Sequence, residues 1–137
     1  MSPDPEPFGG VLPADVVAFS FVAPGAYDRP RPFALEVLPT LPEGARAWLD
    51  APVGLLDALR ARSPFVRVAD DRGLVPLGRR GRQRLGPGLF PARVRHQLRL
   101  LLQVSADARR HGGEVAVRQL YEDVEVGRVT FRLRREP

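Results

Sequence analysis

Several stretches of the chain alternate apolar and polar residues with a period of two, which is the pattern of a β-strand that buries one face. FALEVL, residues 33–38, sets three apolar side chains against Ala34 and Glu36, and this predicts a half-buried strand. VVAFSFV, residues 16–22, is a β-branched and aromatic run that predicts a buried strand. We expect ARAWLD, residues 45–50, to return beside the 33–38 strand after a turn.

Two hairpins are predicted in the rest of the chain. FVRVADDRGLVPL, residues 65–77, flanks a turn at 70–73 that is rich in residues tolerant of left-handed backbone conformations. The chain closes with two alternating strands joined near Glu122-Asp123, and in the last of them Arg128, Thr130, Arg132 and Arg134 face away from Val129, Phe131 and Leu133. Gly127 is a candidate β-bulge.

The stretch VRHQLRLLLQVS, residues 94–105, fits two interpretations. As a strand, it alternates on every position except Leu101. As a helix from Pro91 to Gly112, it has good start and stop signals, but its apolar arc is wider than the stripe of a surface helix. The alternation favours the strand.

One short helix is predicted at about residues 51–62. Asp50 is placed to cap it and Pro52 lies in its first turn. The leucines at 55, 56 and 59 share one face, which must pack on a sheet because so short a helix is marginal alone. Ser63-Pro64 ends it.

The segment LRLLLQVSADARRHGGEVAVRQLY, residues 98–121, resembles the closing strands of bacterial immunoglobulin-like modules, in which a hydrophobic strand, a polar loop ending in glycine and an alternating strand follow one another. The resemblance implies a β-sandwich and no particular activity. We therefore expect a mainly β protein: a single immunoglobulin-like domain at 14–137 with one short helix, preceded by an extended Pro-rich arm at 1–13.

Composition places the chain among globular proteins, with 44% hydrophobic residues, 15 prolines and 13 glycines in 137 residues. All 21 basic residues are arginine, and Lys, Asn and Cys are absent, which favours a bacterial, GC-rich genome over selection for arginine itself. No disulfide is therefore expected.

No signal peptide or membrane span is predicted, so a cytoplasmic location is the default.

Positive charge is concentrated in the second half of the chain. GRRGRQRLGPGLFPARVRHQLR, residues 78–99, carries seven arginines and no acid. We expect a mobile loop up to Gly88 and a strand after it. The predicted partner-binding residues are the cluster Arg79, Arg80, Arg82 and Arg84, its supporting residues Arg93, Arg95 and Arg99, and the apolar anchors of the arm, Phe8, Val11 and Leu12.

Catalytic patterns are missing from the sequence. The two histidines, His96 and His111, lie apart and suggest a core residue and a loop residue rather than metal ligands. Ser20 and Ser105 have no G-x-S-x-G context, and the adjacent acids at 70–71 and 122–123 fall in predicted turns. We expect no enzyme activity, no cofactor, no metal and no small-molecule ligand.

The sequence leaves two candidate functions. The first is a protein-interaction or assembly module that binds an acidic protein or another copy of the same chain. The alternative is nonspecific nucleic-acid binding, in which the Arg79–Arg99 stretch contacts the phosphate backbone. That alternative is weakened because Phe90 is the only aromatic residue near the arginines that could stack on bases.

Overall fold

A computed structural model describes residues 13–22, 31–61, 65–69, 71–90 and 97–133 of the protein. These residues form nine strands and two helices, so the described chain is mainly β, as predicted. In chain order the elements are β1 (Pro13–Val22), β2 (Arg31–Thr40), β3 (Ala47–Pro52), α1 (Val53–Ala58), β4 (Val66–Ala69), β5 (Arg72–Pro76), β6 (Gln83–Phe90), β7 (Gln97–Ser105), α2 (Ala106–His111), β8 (Gly113–Tyr121) and β9 (Val124–Leu133).

The strands form two antiparallel sheets that pack as a sandwich. One sheet has the order β1-β7-β3-β5-β4, and the other has the order β6-β2-β8-β9; we call them sheet A and sheet B. Side chains from both sheets meet in one core, including the fully buried Leu35, Leu49, Leu102 and Val117. Burying each such leucine contributes about 1.5–3 kcal/mol to folding, so this shared interior holds the two sheets together.

The two sides of the sandwich are closed differently. On one side, α1 packs against β3 and β5 of sheet A and β6 of sheet B, and buries Leu56 and Leu59. On the other side, Phe19 of β1 meets Phe131 of β9 edge-on, with ring centroids 5.0 Å apart. This is a favourable aromatic geometry, and it joins the edge strands of the two sheets.

The region around β3 differs from the prediction. Residues 45–50 do not return beside the 33–38 strand, because the turn after β2 carries the chain across to sheet A, where β3 pairs with β5 and β7. The helix is shorter than predicted and begins at Val53. Asp50 does not cap it, since Asp50 lies within β3 and Pro52 occupies the N-cap position.

Two strands were predicted with the wrong degree of burial. The strand at 16–22 is not buried, because β1 is an edge strand and Val16 is 51% exposed. The strand at 33–38 is buried on both faces rather than on one, because β2 lies inside sheet B between β6 and β8. Its outward residues Ala34 and Glu36 are covered by side chains of the neighbouring strands.

The prediction of a mobile loop up to Gly88 is wrong for its second half. Residues from Gln83 onward form β6, in which Leu85 points into the core opposite Leu35 and Arg84 points outward opposite Glu36. The glycines that suggested a loop instead accommodate a register shift in the β2–β6 ladder and a close approach of α1.

The predicted strand at 94–105 and the two predicted hairpins agree with the structure over the residues described. Residues 97–105 form a strand with Leu100, Leu102 and Val104 buried and Arg99 exposed. Both hairpins are present, and in the second one Val126 lacks a ladder partner next to Gly127, which is the predicted bulge. The polar loop expected after Ser105 is instead the short helix α2.

No helix among the described residues is long and apolar enough to span a membrane.

Candidate anion-binding face

The outward side chains of sheet B align in rows across its strands. One row runs through Arg84 on β6, Glu36 on β2, Arg118 on β8 and Arg128 on β9, as the register of three ladders shows. Successive outward residues of a strand are two positions apart, so the next rows lie roughly 7 Å away. Because side chains alternate along each strand, arginines that are far apart in the sequence lie on one surface of the sheet.

Glu36 lies at the centre of this surface and is only 4% exposed. Its Oε2 is 3.3 Å from Nε of Arg82 and 3.3 Å from a terminal nitrogen of Arg118. Its Oε1 is 3.8 Å from a terminal nitrogen of Arg84. A buried carboxylate is tolerated when it is paired in this way, and one negative charge here organises three guanidinium groups.

A second carboxylate contacts the same cluster from the β8–β9 turn. A terminal nitrogen of Arg84 donates a hydrogen bond of 2.8 Å to Oδ1 of Asp123. The Asp123 side chain is 80% exposed, so this ion pair is solvated and worth little to stability.

Glu125 joins the arginines of β8 and β9. Its Oε1 accepts hydrogen bonds from Nε of Arg118 at 2.7 Å and from Nε of Arg128 at 2.9 Å. These hydrogen bonds, first that of Arg118 and then that of Arg128, lower the pKa of the Glu125 carboxyl below its usual value. Arg118 and Arg128 stand directly opposite each other, and Glu125 offsets their mutual repulsion.

The end of the sheet carries a further row. Arg80 bridges to Thr40, Thr40 pairs with Glu114, and Glu114 pairs with Arg132. Nε of Arg132 is 3.8 Å from Oε2 of Glu114, and its side chain is 83% exposed.

We call these residues the basic face. It comprises the six arginines 80, 82, 84, 118, 128 and 132 and the four carboxylates of Glu36, Glu114, Asp123 and Glu125. The arginines exceed the carboxylates by two charges.

The predicted cluster is divided by the structure. Arg82 and Arg84 are partnered by Glu36, whereas Arg79 and Arg80 are exposed and have no carboxylate within ion-pair distance among the described residues. Arg79 lines a shallow depression of about 280 Å³ together with Arg46. Arg99 lies on β7 in sheet A, away from the basic face.

The other predicted contact residues are not described by the structure. Arg93 and Arg95 lie in the gap between β6 and β7, and the arm anchors precede β1. His96 also lies outside the described residues, and the side chain of His111 is not described. The arm anchors are Phe8, Val11 and Leu12.

Three of the six arginines of the basic face, Arg118, Arg128 and Arg132, are distant in sequence from the arginine-rich stretch and were not predicted as contact residues. The alternation of residues 33–38 predicts Glu36 only as an outward residue of a half-buried strand. The alternation of residues 114–118 and 128–134 already placed these arginines on one side of a hairpin. Only the pairing of β8 with β2 brings that hairpin into the same sheet as β6.

Sheet A carries a second buried carboxylate, Asp50. Its Oδ1 accepts a hydrogen bond of 2.6 Å from Nε of Arg72, and its Oδ2 accepts one of 2.9 Å from Nε2 of Gln103. All three side chains belong to adjacent strands, so this group is a structural link across the sheet.

Across the parts of the chain that the structure describes, no three His, Asp or Glu side chains come together in a way that could hold a metal ion. Comparison of the sequence with protein-family models finds no match, and neither a curated protein nor a solved structure matches the chain.

Proposed function

We propose that the protein is a non-catalytic binding module and that its basic face binds an acidic protein partner. The observation that carries the proposal is the arrangement around Glu36, where three arginines share one buried carboxylate. Each guanidinium has several N–H donors, so the cluster has more donors than its own acid can satisfy. Carboxylates of a partner would supply the missing acceptors.

The Glu36 pairing also favours binding by restricting the arginines beforehand. A free arginine side chain loses rotamer entropy when a partner immobilises it, at a cost of about 0.5–1.5 kcal/mol. Arg84 and Arg118 are already held by Glu36 and by Asp123 or Glu125. A partner therefore meets donors whose directions are largely set.

The composition of the face favours a protein over a nucleic acid. Exposed carboxylates lie between the arginines at Glu114, Asp123 and Glu125, and they interrupt the positive surface along which a rigid duplex backbone would lie, whereas a flexible peptide can direct its carboxylates to the arginines. The described aromatic side chains of sheet B, those of Phe33, Tyr121 and Phe131, are buried in the core or packed against it, so none of them offers bases an exposed ring. A protein offers separate carboxylates that fit between these acids.

The proposal is tested by binding of a labelled poly-glutamate peptide, with a duplex DNA of unrelated sequence as the competing ligand. We expect the peptide to bind in low salt and to be released as salt is raised. Arg132→Glu should weaken binding about fivefold, since a charge at an interface rim is reversed. Arg67→Glu, an exposed position on β4 of sheet A, is the matched control and should have little effect.

Three outcomes would count against the proposal. The first is no binding of the peptide even in low salt, and the second is equal weakening by both substitutions. The third is tighter binding of the duplex than of the peptide, which would favour the phosphate-backbone alternative. Self-association is the other form of the interaction hypothesis, and light scattering across a range of protein concentrations measures it.

A further inference from the structure

The strand β9 forms one edge of the basic face. Among the described strands, it pairs with β8 alone. Beyond the bulge at Val126, residues 127–133 keep a regular register with β8. On the opposite side, alternate residues of this segment present backbone N–H and C=O groups away from β8, as on any edge strand.

Exposed apolar side chains mark the same edge. The large apolar residues that are exposed in the described chain are four valines on the strands β1, β4 and β9. Two of the four belong to β9, where Val124 is 62% exposed and Val126 is 40% exposed. Their exposure adds apolar surface beside the charged part of the edge.

The charges along β9 specify what can lie beside it. On the side of β9 that pairs with β8, Arg128 lies opposite Arg118, and Glu125 forms ion pairs with both arginines. The other side of β9 faces away from the sheet. Arg132, four residues along the same face, has Glu114 as its ion-pair partner among the described residues, at 3.8 Å. A strand on the open flank would place its side chains directly opposite these arginines.

In the register that opposes its two arginines, a second copy of β9 is a poor occupant of that position. In an antiparallel β9–β9 pair centred on Thr130, Arg128 of each copy would face Arg132 of the other. Like charges directly opposite each other destabilise a strand pair. Acidic side chains at the same positions would stabilise it.

We propose that an extended acidic segment of the partner protein adds to sheet B as a fifth strand beside β9, with two carboxylates four residues apart opposite Arg128 and Arg132. The inference rests on the proposed function, since it names the form in which the acidic partner binds. Main-chain hydrogen bonds would supply affinity, and the spacing of the acids would supply specificity. The two carboxylates would lie roughly 13 Å apart along the strand.

Two fluorescent seven-residue peptides of identical composition test the spacing by fluorescence anisotropy. Both contain two glutamates among threonines and valines. In the first, the glutamates occupy the second and sixth positions and share one face of a strand; in the second, they occupy the second and fifth positions and lie on opposite faces. We expect the first peptide to bind up to about fivefold more tightly, since a directly opposed charge pair contributes up to about 1 kcal/mol.

Backbone methylation of the first peptide tests the hydrogen bonds. A methyl group on alternate amide nitrogens removes donors from one side of the strand. Methylation of one set of alternate amides should abolish binding, and methylation of the other set should leave it nearly unchanged, because only one side of the peptide strand faces β9. The double substitution R128E/R132E should abolish binding of the unmethylated peptide, and R67E should not.

The outcomes separate this inference from the proposed function. If both peptides bind equally and neither set of methyl groups weakens binding, then the proposal of strand addition is wrong and the basic face binds acids by charge alone. If poly-glutamate also fails to bind, then the proposed function is wrong as well. If the peptide binds equally well after R128E/R132E, then the edge at β9 is not its site.

Discussion

Nε of Arg72 lies 2.6 Å from Oδ1 of Asp50, and this pair connects β5 to β3 on the outer side of sheet A. A terminal nitrogen of the same arginine also donates a hydrogen bond of 3.1 Å to the backbone carbonyl of Asp50. Gln103 on β7 donates to the other carboxylate oxygen. The carboxylate is buried, and each of its two oxygens accepts a hydrogen bond from a side chain of a neighbouring strand.

Replacing Asp50 by Asn distinguishes this role from that of a helix cap. Asparagine caps helices as well as aspartate does, so a capping residue would tolerate the change. In the observed structure the change removes the charge that holds Arg72, and we expect a loss of about 2–3 kcal/mol in the free energy of unfolding. Urea denaturation measures it. Asp57→Asn, on the exposed side of α1, is the control and should change stability by less than about 0.5 kcal/mol.

Glu36→Gln should destabilise the protein although the two side chains have nearly the same shape. The substitution leaves Arg82, Arg84 and Arg118 close together without the acid between them. We expect a loss of about 2 kcal/mol, since hydrogen bonds to charged groups contribute about 1.5–3 kcal/mol each and the amide recovers part of one. Glu114→Gln, which removes an exposed acid 3.8 Å from Arg132, should cost less than about 1 kcal/mol. Equal losses for the two variants would show that Glu36 has no organising role.

Two glycine substitutions near α1 should have opposite effects. A Cβ at Gly88 would lie 1.9 Å from the carbonyl oxygen of Ala58, so Gly88→Ala must push β6 and the helix apart. We expect it to cost at least about 1–3 kcal/mol. A Cβ at Gly54 would meet nothing within 4 Å, and alanine in a helix is favoured over glycine by about 0.5–1 kcal/mol. Gly54→Ala should therefore raise the midpoint of thermal unfolding, whereas Gly88→Ala should lower it.

The pKa of Glu125 is expected to lie below that of an unfolded glutamate, because Arg118 and Arg128 donate hydrogen bonds to its ionised form. Its contribution to stability is therefore complete above the unfolded pKa and is lost as the pH falls through the lower folded pKa. A carboxyl titration followed by NMR measures that value. Arg118→Gln should raise the pKa more than Arg128→Gln, since the hydrogen bond of Arg118 has the larger effect. The reverse order would contradict the geometry described for this carboxylate.

The strands other than β6 were predictable from the sequence because a period of two is a local property. The alternation at 97–105 and in the β8–β9 hairpin identifies both the strand and its buried face. The assignment of strands to sheets was not predictable in this way. Residues 45–50 have the pattern of a strand, but nothing local states that they pair with β5 and β7 rather than with β2.

The candidate site could be predicted only in part for the same reason. An acid-free run of arginines is visible in the sequence, and Arg80, Arg82 and Arg84 of that run lie on the basic face, while their role in partner binding stays a prediction. The burial of Glu36 depends on arginines that approach it from β6 and β8, one of them 82 residues away. A polar residue on an alternating strand is expected to face water unless such partners are known.

Every positive charge on the basic face is a guanidinium group, because the chain contains no lysine. A guanidinium group is planar and carries its N–H donors in a rigid fork, whereas an ammonium group is a compact point charge. A carboxylate that approaches in the plane of the fork can accept two parallel hydrogen bonds, which a carboxylate above that plane cannot do. The affinity of the face should therefore depend on the direction from which a partner's carboxylates approach as well as on their number.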